Sequence, residues 1–95
     1  MLNLIAFITP KPEHYDTCKQ KIIDVLELTR AEQGCLRFEF YETKASQQLV
    51  LVEIWKSQQA LDEHYAQDYI LPIFEFYQDA LEKEPEIHKL SELSA

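Results

Sequence analysis

Glycine occurs once in the 95 residues of this chain, at position 34. A Gly-rich phosphate loop and a GxGxxG dinucleotide fingerprint both need several, so both are excluded. Cysteine occurs twice, as Cys18 and Cys35, without CxxC spacing. No secretory leader is evident, so a structural disulfide is not expected, and apolar neighbours predict buried free thiols at both positions. The three histidines, His14, His64 and His88, show neither HxH nor HExxH spacing, so a metal site lacks a signature. Basic residues are few: nine Lys and Arg against seventeen Asp and Glu give a net charge of −8. That balance argues against nucleic acid and against an anionic membrane, which both need a cationic footprint. No apolar run is long enough to span a bilayer, and no basic-then-apolar leader opens the chain. Cytoplasmic residence is the expectation.

What remains is a globular composition, 46% hydrophobic and 12% aromatic. The length predicts a single domain over residues 1–95. A chain this short buries only roughly two-thirds of the surface its unfolded form exposes, so it must pack efficiently or borrow surface from a partner.

Leu2 to Ile8 is apolar at nearly every position and is stopped by Pro10 and Pro12, which reads as a strand buried on both faces. From Glu13 the period becomes helical, with Tyr15, Cys18, Ile22, Val25, Leu26 and Thr29 on one face. Gly34 follows, in the place of a left-handed helix cap. Cys35 to Thr43 alternates, with Leu36, Phe38 and Phe40 on one side and Arg37, Glu39 and Tyr41 on the other. After a short polar hairpin, Leu49 to Trp55 is a second strand apolar on both faces; Leu49, Leu51, Glu53 and Trp55 share one side. Ser57 is the predicted N-cap of a short helix through Ala60, Leu61 and His64. Asp68 is the predicted cap of another, carrying Ile70, Phe74, Tyr77 and Leu81 on one face and closed by Pro85. Glu86 to Leu93 is the predicted last strand, anchored by Ile87.

The order strand, helix, strand, strand, helix, strand is the α+β split-βαβ, or ferredoxin-like, pattern with a four-stranded antiparallel sheet. Helices cover only one face of such a sheet, yet two of its strands are apolar on both. The bare face needs a cover, and for an acidic chain the simplest is the same face of a second copy, a homodimer.

The stretch Glu32-Gln33-Gly34-Cys35-Leu36, then Glu53-Ile54-Trp55 and then His64, resembles the antibiotic biosynthesis monooxygenase family. The likeness in order and spacing runs from Leu2 to about Leu93. It implies a dimeric α/β barrel, two sheets back to back, with a pocket between sheet and helices in each subunit. It also implies varied chemistry: oxidation of quinols or anthrones by O2 without a cofactor, isomerisation or breakdown of a phosphorylated sugar, or haem degradation. The haem branch carries Asn, Trp and His where this chain has Phe7, His64 and Phe74, which disfavours it. Many relatives carry a second His five residues after the first, where this chain has Tyr69.

Within that likeness, His64 is the candidate base, since an imidazole ordinarily titrates near the working pH. The alternative is a helix-end histidine satisfied by backbone or by Glu53. Glu53 either orients His64 or binds a substrate hydroxyl; otherwise it is a buried acid bonded to a neighbouring strand or to Arg37. Trp55 is an aromatic wall or ordinary core. Tyr69 and Tyr65 donate to a developing oxyanion or simply keep their hydroxyls in water. Asn3, polar within an apolar strand, needs a partner in the pocket or across the dimer seam. Phe74, Phe76 and Tyr77 read as core. The leading expectation is a cofactor-independent monooxygenase acting on a small aromatic or quinol-type compound with O2. The rivals are an enzyme acting on a small phosphorylated carbonyl compound, for which only Arg30 and Arg37 offer arginine, and a non-catalytic ligand-binding barrel.

Overall fold

A computed structural model describes residues 1–93. Four strands, β1 (Leu2–Ile8), β2 (Cys35–Thr43), β3 (Gln48–Trp55) and β4 (Glu86–Leu90), form one antiparallel sheet in the order β2-β3-β1-β4. Helices α1 (Tyr15–Ile23), α2 (Leu26–Arg30), α3 (Gln58–Tyr65) and α4 (Leu71–Ala80) make up the connections. This is the ferredoxin-like arrangement that the element order predicts.

Register decides which side chains meet. Leu4 pairs with Glu53 and Lys89, and Ala6 with Leu51 and Ile87, so these residues share the face under the helices. Leu4, Ala6, Ile8, Leu49, Leu51 and Trp55 are all buried there. Asn3, Ile5 and Phe7 pair with Ile54, Val52 and Val50 on the opposite face, which no helix covers. No helix among the described residues is long and apolar enough to cross a membrane.

Several local expectations need correction. The long helix is broken after Ile23: the Val25 N–H takes the Ile22 carbonyl three residues back, at 3.1 Å, and this tight step separates α1 from α2. The second long helix begins at Leu71, because Asp68 to Ile70 form a turn closed by the Ile70 N–H on the Gln67 carbonyl. Pro72 then sits in the first turn, where its missing N–H is no loss. In β2 a register shift between Cys35 and Arg37 takes Leu36 off the core face and leaves it 53% exposed. The last strand stops at Leu90, short of Leu93. Cys18 is buried and Cys35 half-buried, and both thiols are free; burial pushes each up to about 11.

Gly34 has no positive φ, so it is not the left-handed cap. A Cβ there would stand 2.3 Å from the Ala60 Cβ. The residue is glycine because α3 is seated directly on the entry to β2, and the Lys56 N–H bonds the Gly34 carbonyl at 2.8 Å beside it. Ser57 caps α3 as predicted, accepting from the Ala60 N–H at 3.1 Å.

Candidate active site

The alternation of β3 sends Glu53 and Trp55 to the helix-covered face, and α3 lays His64 over them. All three are sealed: Trp55 is 0% exposed and Glu53 and His64 are each 4% exposed. The imidazole lies over the indole with ring centroids 4.7 Å apart. Trp55 Nε1–H donates to Glu53 Oε1 at 2.8 Å.

The partner of His64 is Glu32, whose Oε2 lies 2.7 Å from Nδ1. Glu32 stands in the turn before Gly34, so the close seat of α3 on that glycine also brings the helix's histidine to the acid. A carboxylate at Nδ1 holds the proton on that nitrogen and leaves Nε2 as the basic lone pair. The Tyr69 hydroxyl donates to the same Glu32 oxygen, with the Leu28 carbonyl 3.2 Å away. Burial and the neighbouring Glu32 raise the Tyr69 phenol. The three side chains thus form a chain from Tyr69 through Glu32 to His64.

A cavity of about 200 Å³ opens between the sheet and the helices. Ala6, Leu51 and Glu53 line its sheet side, and His64, Tyr65, Phe74 and Tyr77 face them from α3 and α4. No Lys or Arg lines it. Loss of water on burial pushes the Glu53 carboxyl up to about 7, against the opposing pull of the Trp55 N–H. Burial also pushes the Tyr65 phenol up to about 12. The lining is therefore apolar apart from one imidazole, one acid on the edge of ionisation and two phenols. No cluster of three or more metal-ligating side chains occurs among the described residues.

Against the expected site, His64, Glu53 and Tyr65 meet at one cavity. Trp55 does not line it; the indole is packed behind the imidazole and bonds Glu53, so it supports the site from below. Tyr69 is likewise behind His64, on Glu32, and forms no wall of the cavity. Asn3 is on the far face of the sheet, because its register partner is Ile54 and not Glu53. Glu53 does not orient His64, and Arg37 bonds Glu39 on the other face. Phe74 and Tyr77, read as core, are cavity wall, whereas Phe76 packs on His14. Sequence reasoning missed the role of Glu32, although its place beside the Gly-Cys step was a usable signal.

The family model for antibiotic biosynthesis monooxygenase matches residues 1–80. This chain belongs to that family. The Mycobacterium tuberculosis protein Rv0793, provisionally named a monooxygenase, is 34% identical over 68 residues, covering 72% of this chain and 67% of that protein. Its solved structure superposes with a TM-score of 0.90 at 28% identity, covering 99% of this chain and 96% of that one. The structure of PA3566 from Pseudomonas aeruginosa gives a TM-score of 0.89 at 26% identity, covering 98% and 94%. An uncharacterised Synechocystis protein, sll1783, is 33% identical over 85 residues; the match covers 86% of this chain and 56% of that protein. Family membership supports a monooxygenase-like function.

Proposed function

We propose that this protein is a cofactor-independent monooxygenase for a small aromatic, quinol-type compound, with O2 as co-substrate and His64 as the base. The observation that supports this reading is the 2.7 Å contact between Glu32 and His64 Nδ1, beside a cavity whose other polar lining is one acid and two phenols; a proton held on Nδ1 frees Nε2 to accept one. Ground-state O2 reacts poorly with closed-shell molecules but accepts an electron from an electron-rich phenolate or carbanion. His64 Nε2 removes the hydroxyl proton, Glu32 stabilises the imidazolium, and the dry lining keeps water from the reacting carbon. A ring carbon that bears hydrogen then bonds oxygen as a hydroperoxide. Loss of water across its C–H and O–O bonds leaves a carbonyl, so a quinol and O2 give a hydroxylated quinone and water. The substrate supplies all the electrons, and no external reductant enters. The proton that His64 took leaves with the departing hydroxide.

The uncovered sheet face supports the dimeric assembly implied by the family. Ile5, Phe7, Val50, Val52 and Ile54 lie side by side there across β1 and β3, and a second copy of the same face covers them in a closed pair.

The test is O2 uptake with a panel of hydroquinones. Wild type consumes O2, and His64→Ala lowers the rate by about 10²- to 10⁴-fold, the usual contribution of a positioned base. Equal rates in the two proteins, or uptake in neither, would overturn the assignment.

A further inference from the structure

Next to the cavity beside His64 lies a second, wider space of about 600 Å³, bordered by Gln78, Lys83 and Glu84. Four residues, Phe74, Tyr77, Pro85 and Ile87, line both spaces and stand between them. The two chambers differ in chemistry. The inner one has no cation and is polar only where Glu53, His64, Tyr65 and Tyr77 meet it. The outer one offers an amide and one charge of each sign.

We propose that the site takes an uncharged ligand of two parts: a ring bearing two oxygens, held in the inner cavity between His64 and Glu53, and a neutral polar arm lying in the outer vestibule. The proposal rests on the oxidative reading only for what happens to the ring; the binding preference stands on the lining.

Size sets the first limit. A dry cavity of roughly 150 Å³ takes one benzene, so about 200 Å³ takes one ring with its oxygens or two fused rings at most, and a three-ring anthrone overfills it. Charge sets the second. A buried anion needs a paired cation; the inner lining holds no Lys or Arg, and its one imidazole already faces Glu32. Lys89, the β4 cation on the same sheet face, is turned to Gln58 Oε1 at 2.9 Å. The net charge of −8 further disfavours the approach of an anion. Hydrogen bonding sets the third. His64 Nε2 accepts from one ring hydroxyl, and Glu53, in its acid form, donates to the second ring oxygen. The titratable groups around Glu53 are Cys35 on β2, His64 and Tyr65 on α3 and Tyr77 on α4.

The experiment is calorimetric titration under nitrogen, so that binding is read without turnover. The probes are methylhydroquinone, hydroquinonesulfonate, and a hydroquinone carrying a 3-hydroxypropyl arm. Methylhydroquinone binds, and the sulfonate binds at least tenfold more weakly, a modest figure for an unpaired buried charge. Gln78→Ala weakens the armed ligand about threefold to tenfold, the worth of one hydrogen bond, and leaves methylhydroquinone unchanged. Wild-type affinity for methylhydroquinone falls as the pH rises through about 7 and Glu53 loses its donor proton, whereas Glu53→Gln, which keeps a donor, binds evenly across that range. Equal affinity for the sulfonate, or no effect of Gln78→Ala on the armed ligand, would overturn the proposal. Binding in this order by a protein that consumes no O2 would sink the oxidative reading and uphold the ligand assignment. Uptake of O2 with the sulfonate as fast as with methylhydroquinone would do the reverse.

Discussion

Replacing Glu53 with glutamine removes one ionisation from the core while keeping the shape of the neutral acid and an oxygen for the Trp55 N–H. In the folded chain, burial moves this carboxyl from an ordinary 4.5 up to about 7. Between those two pH values the native protein holds a proton that the unfolded chain has released. Stability therefore falls as pH rises through this window: the contribution is complete below about 4.5 and lost above about 7. Each tenfold difference in proton affinity is worth about 1.4 kcal/mol, so the whole window is worth about 3 kcal/mol. Glu39, Glu42 and Glu86 are shifted the other way by Arg37, by Tyr15 with Lys19, and by His88, and lose stability as pH falls. Those groups are common to both proteins and cancel in the difference. Urea unfolding of wild type and Glu53→Gln, from pH 4.5 to 8.5 at one fixed protein concentration, isolates the effect. The variant gains on wild type by about 3 kcal/mol between the two ends of that range. Parallel curves, or a variant that loses ground as pH rises, would show that Glu53 is not held near neutrality by burial.

Three further outcomes follow from the same geometry. Gly34→Ala drives a methyl into Ala60 and destabilises the protein by about 1–3 kcal/mol in urea unfolding; adding Ala60→Gly relieves the clash, so the double variant is more stable than Gly34→Ala alone. Glu32→Gln leaves an amide where a carboxylate held the imidazole and lowers kcat about tenfold to a hundredfold with KM little changed, a split that loss of fold alone would not produce. Ile54→Lys puts a charge in the middle of the uncovered sheet face and shifts sedimentation from dimer to monomer, and an unchanged sedimentation coefficient would place the dimer contact elsewhere.

Strong periodicity made much of this fold legible. β1 and the end of β3 stand where the apolar runs put them, because a short continuous apolar run closed off by prolines or polar residues marks a buried strand whatever its register. The break between α1 and α2 was invisible because the same face continues on both sides of Val25. The bulge at Leu36 was hidden by an alternation that looks unbroken in the sequence. His64 and Glu53 were identifiable as polar residues committed to an apolar face. Their division of labour was not, since the acid that meets His64 comes from a turn 32 positions earlier and only docking of α3 joins them. Asn3 was left between pocket and dimer seam for a related reason: which strand parity faces the helices depends on pairing with β3, not on β1 itself, and that pairing rules out the pocket.

The sheet ends in two outer strands that are poor templates for further growth. β2 carries its irregularity at Cys35 and Arg37, and β4 sets Glu86, His88 and Lys89 along five residues that are all exposed. A fifth strand adding to either margin would meet a bulged backbone or a row of exposed charged side chains. Margins of this kind oppose open-ended addition, and the closed pair we propose through the flat of the sheet is an association that ends at two.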